Sequence, residues 1–170
     1  MALLVCRLSI GSRVWPFERK TLGLGIWKFS MSLSGLLPLL GQTEQFAALV
    51  NSLRAPRAQA ALIAPDPAIE CTVAALWSET DAPVFVLTPN PESARRLHDR
   101  LFTWLGDDSP VFHFAESEDI PFERYVPDHG ASHQRLRALA ALRGEMKGIT
   151  RPLIVSSVTA ASQATLERSV

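Results

Sequence analysis

The chain is 170 residues long, 47% hydrophobic and formally neutral, with 17 basic and 17 acidic side chains. That length and apolar content suffice for one domain with a core of its own. The charge is uneven: residues 1–30 carry Arg7, Arg13, Arg19, Lys20 and Lys28 against Glu18, a net +4, so the rest sums to −4, and an acidic body speaks against strong nucleic-acid binding, which needs clustered Lys and Arg.

Cys6 and Cys71 lie far apart, with no metal or disulfide spacing, which points to a reduced, cytoplasmic setting. No apolar run approaches the roughly 18 residues needed to span a bilayer. MALLVCRLSIGSRVW is weakly signal-like, but Arg7 interrupts its apolar run and no small-residue cleavage site follows cleanly. Residues 1–30 lack a clear period and are expected to be poorly ordered. Two readings stay open for them: an upstream extension before a true start at Met31, or an ordinary N-terminal arm. Residues 31–170 are expected to form the domain.

Leu36 to Leu40 is a short apolar segment. Phe46, Leu49, Val50 and Leu53 then recur at helical spacing between Gln42 and Leu53. The stretch that organises the rest is Ala60 to Arg100. AALIA (60–64) predicts a short apolar strand, followed by the loop around Pro65, Asp66 and Pro67 and a helix to about Glu79, with Ile69, Val73, Leu76 and Trp77 on one face. A strand running straight into a helix is where many proteins hold a nucleotide phosphate, given glycines and usually a Lys and a Ser/Thr. Here prolines remove N–H donors, and Asp66 and Glu70 place negative charge where a phosphate would sit. Pro65, Asp66, Pro67 and Glu70 thus read as a degenerate phosphate loop that binds no nucleotide.

VFVLT (84–88) reads as a strand covered on both faces. The next segment predicts a helix with Asn90 as N-cap, Pro91 in the first turn and Leu97, Leu101 and Leu105 inward, ended by Gly106. PVFHF (110–114) is a third strand. Residues 115–129 form an acidic, proline-marked connection. A helix over 131–146 follows, with Leu136, Leu139, Ala140 and Leu142 read as inward and Arg135, Arg137 and Arg143 as outward. PLIVSS (152–157) is a fourth strand, and 158–166 a short helix. Alternating strands and helices predict an α/β domain: a parallel sheet with right-handed crossovers and helices on both faces. Ending one short helix after a strand suggests a piece of something longer.

Candidate chemistry is thin. His129 and His133 are four apart, as in a helical metal pair, but no zinc-protease Glu and no third ligand accompany them. They read as solvated helix-start residues, and no metal is expected. Glu116, Glu118, Asp119 and Glu123 form an acidic cluster that reads as a surface loop before it reads as acid/base or Mg²⁺ groups. Ser156, Ser157 and Thr159 end the last strand, where an α/β sheet places its ligand crevice, and a helix-capping role is favoured over anion binding. Arg95, Arg96 and Arg100 read as a solvated helix face.

APVFVLTPNPESARRLHDRL resembles a strand-to-helix segment of excision-repair helicase-like proteins. More specific is FHFAESEDIPFERYVPDHGASHQRLRALAALR, which resembles a segment near the N-terminus of bacterial transcription-repair coupling factors; Glu118, Pro121, Phe122, Glu123, Pro127, Arg135 and Leu136 carry the match. PLIVSSVTAASQATL resembles the strand and helix that follow. The resemblance covers roughly residues 36–166, and the order and spacing of the motifs are stronger than any one of them. The excision-nuclease B subunit is similar in its first domain, but that family keeps a Gly-Lys-Thr phosphate loop and a long Tyr-rich hairpin. This chain has APDPAIECT at the loop and only Tyr125 in a short connection, which favours the coupling factors.

The resemblance implies a degenerate, incomplete RecA-like, P-loop-type lobe within the N-terminal module of a DNA translocase. That translocase displaces stalled RNA polymerase and recruits the excision-nuclease A subunit. It implies a scaffold and regulatory part without catalytic residues, with ATP and Mg²⁺ used only elsewhere in the full-length protein. Partners would be the rest of the coupling factor and, through the adjoining domain, the A subunit; polymerase and DNA would be met through other regions. The alternatives are a small nucleotide-dependent enzyme with an unusual loop and a free-standing adaptor.

Overall fold

Three apolar runs pair side by side. The computed structural model describes residues 32–55, 57–117 and 129–163, and among them β1 (Val84–Thr88), β2 (Val111–Phe114) and β3 (Leu153–Ser157) form one parallel sheet in the order β1-β3-β2. Val84, Phe85 and Val86 lie opposite Leu153, Ile154 and Val155, and the same β3 residues lie opposite Val111, Phe112 and His113 on the other side. All five β3 residues are buried, as expected for a central strand covered on both faces. The chain reaches β2 from β1 across the position that β3 later fills.

Period-two alternation divides the side chains between two cores. Val84, Val86, Val111, Leu153 and Val155 join one cluster; Phe112, Phe114 and Ile154 join the other, with Phe85 packed against it. Helices therefore lie on both sides of the sheet.

On the first side lies α4 (Pro91–Leu105). The Asn90 side chain accepts from the Ser93 N–H at 2.8 Å, Pro91 fills the first turn, and Gly106 (φ 88°) ends the helix with its N–H on the Phe102 carbonyl. Ala94, Leu97 and Leu101 face the sheet and are buried. Outside α4 pack α3 (Asp66–Glu79), through Val73 to Leu76, then α1 (Leu37–Gly41) and α2 (Glu44–Leu53), which buries Phe46, Leu49, Val50 and Leu53 at the predicted spacing. Each such fully buried side chain contributes about 1.5–3 kcal/mol. Trp77 Nε1 donates to the Arg151 carbonyl at 3.0 Å, tying α3 to the entry of β3.

The second side is covered by α5 (His129–Leu142) and α6 (Val158–Ser162). Here the sequence reading of the inward face holds for Leu139, which packs against this core, but the face as a whole is turned by about one residue. Arg135, Ala138 and Ala141 are buried, whereas Leu136 and Leu142 are 52% and 40% exposed. The reason is volume: Phe112, Phe114 and Ile154 fill the space on the sheet, so the helix fits with alanines against them. The helix also ends four residues earlier than predicted, where Gly144 takes φ 72° and the Glu145 N–H bonds back to the Ala140 carbonyl.

A second correction concerns AALIA. Residues 60–64 pair with no strand among the described residues, and Ile63 is fully exposed with Leu62 45% exposed. Three of the five residues are alanines, so the segment buries too little apolar surface to hold itself in place without ladder partners. No helix of the described residues is long and apolar enough to cross a membrane.

Candidate functional site

The expected phosphate loop sits at the start of α3. Pro65 precedes the helix in extended conformation (ψ 150°), Asp66 and Pro67 open it, and the Ala68 N–H is taken by the Pro65 carbonyl at 2.8 Å. Pro67 has no N–H, and the Asp66 carboxylate adds negative charge in the first turn. Glu70 is ion-paired with Arg100 of α4, so it ties two helices together at the surface. No strand delivers the loop, since 60–64 lies outside the sheet. The prolines and Asp66 stand at the helix start, as expected, but residues 60–64 form no strand to deliver the loop.

The C-terminal ends of the strands, where an α/β sheet places its ligand crevice, are filled by hydrogen bonds. Thr88 Oγ1 lies 3.2 Å from the Ser156 carbonyl and 3.0 Å from that of Asn90, and Ser156 Oγ donates to the Phe114 carbonyl at 3.3 Å. Ser157 Oγ accepts from the Ala160 N–H at 2.9 Å and caps α6. Both serines are buried. Capping is therefore the role of Ser157, and Thr159 on α6 is exposed.

Arg135 closes the same end from α5. Its Nη1 donates to the Ala115 carbonyl at 2.8 Å and approaches the Ala160 carbonyl and Gln163 Oε1 at 3.3 and 3.2 Å, while the guanidinium lies 4.1 Å over the Phe114 ring. Burial pushes its pKa down from the usual arginine value. Gln163 in turn brackets the Ser117 backbone, accepting from its N–H at 2.7 Å and donating to its carbonyl at 3.0 Å. The sequence reading placed Arg135 outward; its long side chain reaches inward because carbonyl oxygens and an aromatic face await it. Leu136, its neighbour in the resemblance, is exposed. Glu118, Asp119, Pro121, Phe122, Glu123, Tyr125 and Pro127 lie outside the described residues.

A third locus was not legible in the sequence. His98 of α4 and His113 of β2 meet at the outer edge of the sheet with ring centroids 5.5 Å apart. His98 Nδ1 lies 3.0 Å from Asp99 Oδ1, and His113 Nδ1 lies 3.1 Å from Gln134 Oε1 of α5. The Phe102 ring meets His98 edge to face at 5.1 Å. Burial lowers the His113 pKa, outweighing the opposing hydrogen bond from Gln134; His98 and Arg95 lower it further and Asp99 raises it. Both rings line a cleft of about 390 Å³ that also reaches Asp107, Asp108 and Arg137. The two histidines lie fifteen positions apart across a helix-to-strand turn, so no local spacing announces them.

The remaining candidates stay apart. His133 is exposed on α5, and the side chain of His129 is outside the described set. Arg95 and Arg96 are exposed, as read. No group of three or more His, Cys, Asp or Glu residues among those described is placed to hold a metal ion. Compared with known proteins, the chain matches no protein-family model and no curated relative.

Proposed function

We propose that this chain is a non-catalytic scaffold and interaction part of a transcription-repair coupling factor, within its N-terminal module. The observation that carries the reading is the start of α3, where Pro65, Asp66 and Pro67 offer a nucleotide phosphate few donors and a negative charge. The buried, hydrogen-bonded ends of β1 and β3 support it, since Thr88, Ser156 and Ser157 are engaged with the fold. An interaction role is supported by the apolar edge strand β1, which pairs only with β3 among the described residues and carries no charged gatekeeper, and by exposed Leu62 and Ile63.

On this reading the chain works in the cytoplasm. It contacts the rest of the coupling factor directly and reaches the excision-nuclease A subunit through an adjoining domain. ATP, Mg²⁺, DNA and RNA polymerase are handled by other parts of the full-length protein.

Calorimetric titration of the full chain with ATP and with ADP, each with Mg²⁺, tests the reading. No heat of binding up to about 1 mM nucleotide is expected, a ceiling corresponding to about −4 kcal/mol. Micromolar binding would put a nucleotide-dependent enzyme in its place. Pull-down with the A subunit and the adjoining domain then tests the partner.

A further inference from the structure

We propose that His98 and His113 form a two-histidine site for a borderline divalent transition metal, with Zn²⁺ as its probe. Asp99 Oδ1 and Gln134 Oε1 are acceptors, so the Nδ1 atoms they meet at 3.0 and 3.1 Å must donate. A neutral imidazole has one N–H. With both Nδ1 atoms protonated, both Nε2 atoms carry a free lone pair. A histidine held through one nitrogen by a carboxylate or carbonyl, with the other open, is how proteins prepare imidazole for a metal.

Spacing agrees. Zinc–nitrogen bonds of about 2.0–2.1 Å place the centroids of two imidazoles on one tetrahedral ion roughly 5 Å apart. The observed centroid separation of 5.5 Å, with the rings tilted by 37°, matches that length. Phe102 fixes the His98 ring on one side, and β2 holds His113 in the sheet. The His98 side chain is 21% exposed, so an ion reaches it from solvent through the cleft.

Asp107 and Asp108, which line the cleft, favour a cation; Arg137, which also lines it, opposes one. No third protein ligand stands ready among the described residues, so water fills the remaining positions. Such a site is weak and exchangeable, and it leaves coordination positions open to an incoming ligand. Imidazole without thiolate suits Zn²⁺, Ni²⁺ or Cu²⁺ and not Mg²⁺ or Ca²⁺. A bound ion would join α4 to β2 at the sheet edge.

The test is calorimetric titration of the metal-stripped full chain with Zn²⁺, run beside His98→Gln/His113→Gln and His129→Gln/His133→Gln. One ion is expected in the unaltered chain and in the second variant, and none in the first. Asp99→Asn, which leaves both rings in place, should weaken binding about tenfold through the lost orienting carboxylate. Circular dichroism reports whether the first variant folds; if it does not, His98→Gln alone, at a partly exposed position, must show the same loss. Absence of binding up to about 1 mM Zn²⁺ would overturn the site, as would an ion that persists in the His98 variants. Loss confined to the His129→Gln/His133→Gln chain would assign the metal to α5 and overturn it equally.

Discussion

Arg135 Nη1 and Gln163 Oε1 meet at 3.2 Å, joining α5 to the residue that follows α6, and the same Gln163 amide grips both backbone groups of Ser117 beyond β2. Three elements that are distant in sequence are thereby locked at the C-terminal end of the sheet. Replacing Arg135 by Ala would leave the Ala115 and Ala160 carbonyls short of a donor in a buried place. Each buried group left unsatisfied costs about 1–3 kcal/mol. Arg135→Ala is therefore expected to lower the unfolding free energy by about 3 kcal/mol, with Arg135→Met recovering the part due to packing on Phe114. Urea denaturation measures both; a loss below about 0.5 kcal/mol for Arg135→Ala, the range of ordinary surface changes, would refute the role.

The register of α5 makes a second expectation. Ala138 has no exposed surface, whereas Leu136 is half exposed. Ala138→Leu should cost about 1–3 kcal/mol by overpacking against the sheet. Leu136→Gln should change stability by less than about 0.5 kcal/mol. The reverse order, measured by the same urea series, would restore the inward leucines expected from the sequence.

These residues show what was legible in the chain. The strands at 84–88, 111–114 and 153–157 and the helix from Pro91 could be read because local signals suffice for them: β-branched apolar runs, an Asn cap, a terminating glycine. The face of α5 could not, because its choice depends on Phe112, Phe114 and Ile154, which lie on strands before and after it. AALIA has a strand's composition, but a strand also needs a neighbour, and that is not a local property. At the candidate site, the helix start at Pro65, Asp66 and Pro67 was readable, since a proline in the first turn is a local signal. The pairing of His98 with His113 was not, since it arises only when α4 folds back over β2.

His113 supplies a pH expectation for the metal-free protein. Its pKa is held below the ordinary value of 6.5, mainly by burial, with His98 and Arg95 acting in the same direction against Gln134 and Asp99. The folded state thus binds fewer protons than the unfolded state near and below pH 6.5. The stability associated with neutral His113 is fully present above pH 6.5 and is lost as pH falls through 6.5 toward the folded value. Urea midpoints measured in chelator from about pH 7.5 down to about 5.5, a range that brackets the free histidine pKa, should fall more steeply for the unaltered chain than for His113→Gln. Parallel curves would show that the ring titrates alike in both states.

Ile63 gives the last expectation. Its side chain is wholly in solvent, next to half-exposed Leu62, on a segment that pairs with no strand among the described residues, while β1 has an uncharged outer edge with no partner among them. An exposed apolar β-former and an unprotected edge strand are the two halves of an intermolecular contact. Ile63→Lys removes nothing from either core, so stability should change by less than about 0.5 kcal/mol. Self-association, followed by sedimentation velocity over a concentration series, should fall, because a lysine at this place repels its copy and resists strand addition. A marked loss of stability would mean instead that Ile63 is buried in the folded chain, and that residues 60–64 complete the sheet as the sequence alone had led us to expect.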